Sequence, residues 1–227
     1  MMLKKTATLL AALSLALPFA VTPSPAFAAE ATAQATAPDA LVKDISTQVL
    51  DTLRNSPEIR AGDSGKAAEL IQTIVLPHFD FVRMTRLAVG KNWRSATPEQ
   101  QQELTGLFRD LLVRTYSNAL TQYRDQTLEV KPARAGAAAD IMQVPTEIVQ
   151  SGAQPVAVEY VLQKQGDEWK VFDIVVMGTS LVINYRNTFE QKISQAGIDG
   201  LIQSLKNQEF KPDATGANAK GPTAPCA

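Results

Sequence analysis

The side chains able to carry chemistry are few and scattered. The 227-residue chain has one histidine, His78, and one cysteine, Cys226. A Ser-His-Asp or Cys-His arrangement would have to draw on His78, which follows Pro77 at the end of a helical stretch, and no serine stands in a G-x-S-x-G elbow. No His pair, Cys pair or D-x-D-x-D-G loop offers a metal site, and no Gly-rich loop offers a phosphate cradle. Neither catalytic nor metal-ligating residues are therefore assigned, and no cofactor is expected. Asp173 is the best acid–base candidate, because it interrupts the apolar run "WKVFDIVV", where burial raises a carboxyl pKa unless the group is paired. Its structural alternative is to tie a strand to a helix through hydrogen bonds. Tyr116, Tyr160 and Tyr185 either stack on a ligand or finish a core with a wet hydroxyl. Arg86, Lys91, Arg94 and Arg186 are the cations that could meet a phosphate.

The bulk composition narrows the partners. Twenty-two Lys and Arg oppose 23 Asp and Glu, for a net charge of −1, so the basic excess of a nucleic-acid binder is missing. A lone cysteine makes no internal disulfide, and stability must come from a core. Lys4 and Lys5, the apolar run Thr6 to Val21 and the small-x-small pattern Ala26-Phe27-Ala28 read as a signal segment, residues 1–28, cleaved after Ala28. The apolar run is too short for a membrane span. Residues 29–37 form an Ala/Thr-rich leader. Residues 38–210 carry the folded domain. The tail, residues 211–227, is rich in Pro, Gly and Ala without periodicity and is expected to be disordered.

Periodicity places the elements. Pro38-Asp39 opens a helix with Leu41, Ile45, Val49 and Leu53 on one stripe, ending near Asn55-Ser56-Pro57. A second helix starts at Asp63-Ser64 and ends before Pro77. A third runs from the cap Asp80 to Val89, with Gly90 closing it. Thr97, Pro98 and Gln100 form a capping box for a long helix whose broad face holds Leu104, Leu107, Phe108, Leu111, Leu112, Thr115, Ala119 and Tyr123. Four strands follow: Leu128 to Lys131, Met142 to Ile148, Val156 to Gln163 and Trp169 to Met177, with turns at Ser151-Gly152 and Gly166-Asp167. One sheet face reads apolar and the other mixed. After Gly178, Ser180 caps a helix carrying Val182, Tyr185, Phe189 and Ile193, Gly197 breaks it, and Asp199 to Asn207 forms a last short helix. Helices, then a meander, then helices predict an α+β fold.

Several segments together resemble the MlaC family of periplasmic phospholipid-binding proteins, also called the toluene-tolerance auxiliary family. They are "LPHFDFVRMTRLAVGKNWRSATPEQQQELTGLFRDLLVRTYSNAL", "VPTEIVQSGAQPVAVEYVLQ", "EWKVFDIVVMGTSLVINYRNTFEQKI" and "GIDGLIQSL". Gly90, Trp93, Ala96-Thr97-Pro98, Trp169, Asp173, Gly178, Ser180 and the run Gly197 to Leu201 fall in the family's order. The resemblance implies an NTF2-like curled antiparallel sheet of about four strands, covered by helices that enclose an apolar cavity. It implies a carrier of phospholipid between an outer-membrane lipoprotein complex and an inner-membrane ABC transporter with an MCE-domain subunit, which keeps outer-membrane lipid asymmetric. The partners expected are thus phospholipid, as cargo, and those two complexes; no nucleic acid is expected, and a monomer is.

On that reading the cavity wall comprises Leu112, Tyr116, Val144, Val158, Tyr160, Val171, Val182, Tyr185 and Phe189, and the head-group mouth Arg86, Arg94 and Arg186. Two alternatives stay open: a small periplasmic isomerase or hydrolase using Asp173 and a tyrosine, and an adaptor whose apolar slot receives a partner helix.

Overall fold

The computed structural model describes residues 36–210. The expected signal segment, most of the leader, the tail and Cys226 lie outside them.

Local chemistry sets the helix boundaries. Helix α1, Pro38–Asn55, starts on a proline, whose fixed φ and missing N–H suit the first helical position. Pro57 repeats the device and opens a four-residue helix, α2, Pro57–Arg60, which the apolar spacing does not reveal. Asp63 caps α3, Ser64–Leu70, by accepting from the Lys66 amide at 3.0 Å. The expected continuation to Pro77 is present but changes pitch, widening to a π turn over Ile71–Val75 and tightening to a 3-10 turn over Leu76–His78. Asp80 caps α4, Phe81–Val89, by accepting from the Arg83 amide at 2.8 Å, and Gly90 ends it at φ 64°. A 3-10 turn, Gly90–Ser95, leads to α5, Pro98–Thr121, whose capping box joins Thr97 and Gln100 in both directions. At 24 residues α5 is about 36 Å long. Ala119, expected on its inner face, is exposed. Ser117 and Thr121 are buried there instead, their hydroxyls donating back to the carbonyls of Val113 and Asn118.

The sheet contains the four expected strands and two short additions. The long strands are β3, Ile141–Val149, β4, Val156–Gln165, and β5, Glu168–Val176, beside the shorter β1, Thr127–Val130. The additions, β2, Arg134–Ala135, and β6, Thr179–Ser180, have two residues each and so show no alternation. All named pairings are antiparallel, in the order β1-β3-β4-β5-β6, with β2 also on β3. Gly152 and Gly166 take positive φ in the turns flanking β4, as their positions require. Met177 and Gly178 are both left-handed, φ 49° and 81°, and close the β5–β6 hairpin as a two-residue turn with the twist such hairpins favour.

Register decides which side chains share a face. Val144 lies opposite Tyr160, and Thr146 opposite Val158. Tyr160 lies opposite Ile174, and Val158 opposite Val176, so all six share one face. Asp173 pairs with Val161 and points the other way. A bulge places Phe172 as the extra residue of β5 against Val161 and Leu162. Helix α6, Leu181–Lys206, is capped by Ser180 and broken at Gly197, φ 69° and ψ −174°, as the sequence indicates.

Candidate functional site

The apolar interior is divided into three clusters. The first joins α4, α5 and α6 through residues such as Met84, Leu104, Phe108, Leu111, Val182 and Phe189. The second joins the C-terminal ends of α1 and α5 to α2 and α3, through Leu53, Ile59, Leu70 and Tyr123. The third sets Val42 of α1 against Val144, Leu162 and Val171 of the sheet. The first, with 15 buried residues, is the main core, and the other two, with five and four, are satellites of the kind a folded domain ordinarily has. Here the junctions are made by half-buried apolar side chains. Phe79 and Ile174 border both the first and the third cluster, Tyr116 borders the first, Leu120 the second and Tyr160 the third. Val158, only 8 % exposed, belongs to none of the three, and its cross-strand neighbour Val176 is half-buried. Phe79 and Ile174 thus join the sheet face that carries Tyr160, Val158 and Val176 to the helical cluster that Tyr116 borders, and this apolar junction is the seam.

Backbone pins hold the seam's rim. The segment before α4 is fixed to β5: Phe79 bridges Val171, the Asp80 amide donates to the Val171 carbonyl at 2.9 Å, and Lys170 Nζ donates to the Pro77 carbonyl at 2.9 Å. Gln165 Nε2 donates to the second Asp80 oxygen at 2.6 Å. The π turn just upstream carries the half-buried Ile74 and Val75. Arg83, one turn into α4, lies 3.7 Å over the Phe172 ring, and its Nε is buried without a partner among the described residues. Sequence reasoning missed Phe79, Ile174 and Val176 as seam residues. Ile174 and Val176 alternate along β5, but their placement opposite Tyr160 and Val158 is legible only once the register is known, and Phe79, which lies outside any strand, carries no local signal.

The expected wall residues separate into two groups. Tyr116, Val158 and Tyr160 sit at the seam. Val144 and Phe189, both 0 % exposed, lie inside closed packing, with Val171 and Val182 equally enclosed. Phe189 meets Phe108 and Phe210 edge-on, each at 5.3 Å between centroids. Leu112 and Tyr185 are buried in the first cluster, Tyr185 against Phe108 at 5.1 Å. Arg86, Arg94 and Arg186 are exposed and have no carboxylate at ion-pair distance among the described residues, whereas Lys91 pairs with Glu190 at 3.1 Å. Arg186 lies against Gly90, where an added Cβ would come within 3.0 Å of its Nε. A separate groove of about 390 Å³ between α3 and α5, lined by Ser64, Gln72, Asp110 and Arg114 among others, shares no residue with the seam.

The geometry takes Asp173 out of proton-transfer chemistry with Tyr160, since the two leave the sheet on opposite faces. Its oxygens are also occupied. Oδ1 accepts from the amides of Ile174 at 2.9 Å and Val182 at 3.1 Å, and Oδ2 accepts from the Ser180 hydroxyl at 2.5 Å. Burial pushes its carboxyl up against the pull of those donors. The structural role holds: Asp173 latches β5 to the first turn of α6. His78 is half-buried, and burial together with nearby Lys170 pushes its imidazole below the usual histidine range. Among the described residues no group of three His, Cys, Asp or Glu could hold a metal, and no helix is long and apolar enough to cross a membrane.

Comparison with known proteins bears on this arrangement. The chain is 38 % identical to the phospholipid-binding protein of Ralstonia solanacearum, solved in complex with a phospholipid; the match has a TM-score of 0.70 and covers 76 % of this chain and 96 % of that one. It is 28 % identical over 171 residues to toluene tolerance protein ttg2D of Pseudomonas putida, covering 74 % of this chain and 78 % of the relative. It is 23 % identical over 180 residues to the intermembrane phospholipid transport system binding protein MlaC of Haemophilus influenzae, covering 78 % and 84 %. The profile of the MlaC protein family matches residues 43–207, from within α1 to the end of α6. The chain belongs to the MlaC family.

Proposed function

We propose that the protein is a phospholipid carrier without catalytic activity of its own. The observation that supports this most is the similarity, over most of the chain's length, to a protein solved with a phospholipid bound. Acyl chains laid along the seam would pack against Tyr116, Val158, Tyr160, Ile174 and Val176. Removing a methylene from water is worth about 0.8 kcal/mol, so two chains of about sixteen carbons favour the seam over water by roughly 25 kcal/mol. A bilayer interior offers about the same. Exchange between membrane and carrier is then near balance, while escape into water is prohibitive, and that balance is what a carrier needs.

In the full reading the mature protein is exported to the periplasm. There it moves lipid between an outer-membrane lipoprotein complex and an inner-membrane MCE-domain ABC transporter, sustaining outer-membrane asymmetry. Arg86, Arg94 and Arg186, exposed and without an ion-pair partner among the described residues, are assigned to the phosphate. The test is a transfer assay: protein loaded with labelled phospholipid is presented separately to membranes carrying each complex. Delivery to at least one of them, above that to plain vesicles, supports the reading. Delivery no faster than to plain vesicles in either case defeats it.

A further inference from the structure

Two tyrosine hydroxyls are left over in the seam. The chain has four tyrosines. The Tyr123 hydroxyl accepts from Arg54 Nε at 3.2 Å, and Tyr185 is locked in the aromatic cluster with Phe108 and Phe189. Tyr116 and Tyr160 are half-buried, and neither hydroxyl bonds to any described residue. Neither oxygen is sealed into packing either; among the described residues Arg83 Nε is the one side-chain polar atom both sealed and unpaired. Both hydroxyls therefore open into accessible space. Burial pushes both phenols above the usual tyrosine range, with the nearby Tyr185 phenol adding to the effect at Tyr116. The two flank one junction: Tyr160 packs on the third cluster, Tyr116 on the first, and Ile174, directly opposite Tyr160 in the sheet, touches both.

A hydroxyl in an apolar wall costs free energy unless it finds an acceptor. Bare hydrocarbon has none. A diacyl glycerophospholipid has two ester carbonyls directly above its acyl chains, where the apolar portion of the ligand ends. We propose that the hydroxyls of Tyr116 and Tyr160 donate hydrogen bonds to the acyl ester carbonyls of the bound lipid and so select ester-linked over ether-linked phospholipid. The inference rests on the carrier reading and adds a selectivity to it.

The experiment is a competition. Lipid-free protein is incubated with vesicles holding equal amounts of a diacyl phospholipid and its dialkyl ether analogue, with the same chain lengths and head group. Bound lipid is extracted and the ester-to-ether ratio is read by mass spectrometry. The unmodified protein should favour the ester, each hydroxyl contributing about fivefold. Tyr116→Phe and Tyr160→Phe should each lower the ratio by about that factor, and the double variant should bring it close to one. The ratio is internal to each sample, so a variant that takes up less lipid in total still reports. A ratio near one in the unmodified protein, or a ratio unchanged in both variants, overturns the inference and leaves the carrier reading standing. Binding of neither lipid by the unmodified protein overturns both.

Discussion

Replacing Asp173 by alanine removes the acceptor for three donors at once: the amides of Ile174 and Val182 and the hydroxyl of Ser180. All three are at most half-exposed, so water replaces the lost partner poorly. A hydrogen bond of this kind contributes about 1 kcal/mol, which puts the alanine variant at about 3 kcal/mol. Asn keeps Oδ1 for the two amides and can donate from Nδ2 to Ser180 Oγ, so it should cost about 1 kcal/mol. Urea unfolding of lipid-free protein resolves the two. With a slope of about 2 kcal/mol/M, alanine should lower the midpoint by about 1.5 M and asparagine by about 0.5 M. Sign matters for pH. Burial raises the folded-state pKa above the ordinary 3.8, so the proton's contribution is complete below that value and is lost as pH rises through the raised pKa. Asparagine does not titrate, and its cost should therefore be larger at about pH 3.5 than at about pH 7. Alanine and asparagine midpoints that coincide would refute the latch. An asparagine cost that grows with pH would instead show that the three donors outweigh burial and that the carboxyl is held below its ordinary value.

Other perturbations test other parts of the structure. Val158→Glu places a carboxylate at a position only 8 % exposed and should abolish co-purifying lipid, with a lowered urea midpoint for the lipid-free protein as well. Full lipid occupancy in that variant removes Val158 from the site. Phe189→Ala, by contrast, empties the centre of the first cluster and should cost about 4 kcal/mol in urea unfolding, a loss below about 1 kcal/mol being incompatible with the packing described. Met177→Asn should raise stability by up to about 1 kcal/mol, because the methionine is 64 % exposed and left-handed in a turn that favours Asn-Gly. A lower midpoint in this variant would show that Met177 makes a contact the turn depends on.

Much of the fold is legible in the sequence wherever the physics is local. Asp63, Asp80, Thr97 and Ser180 announce helix starts because a cap needs only its own next three residues. Gly152 and Gly166 mark turns through positive φ, and Gly197 breaks α6 for the same reason. The site is less legible because it depends on distant elements. Val144 and Val158 are the same residue type on the same sheet face, yet one is enclosed under α1 and the other lies at the seam. Alternation gives the face and is silent on what covers it. Phe189 and Tyr116 are likewise indistinguishable by helical spacing, though one centres a cluster and the other lies half-buried at its edge. The bulge at Phe172 and the Arg83 stack above it arise from a strand mismatch that no local pattern encodes.

The central claim is that the seam between the three clusters is filled by a diacyl lipid. Native mass spectrometry of the protein purified without organic solvent or detergent tests it most directly. A mass above that of the polypeptide by one phospholipid, lost on organic extraction and absent from Val158→Glu, is the expected result. A polypeptide that carries no lipid, and acquires none from phospholipid vesicles, would contradict it.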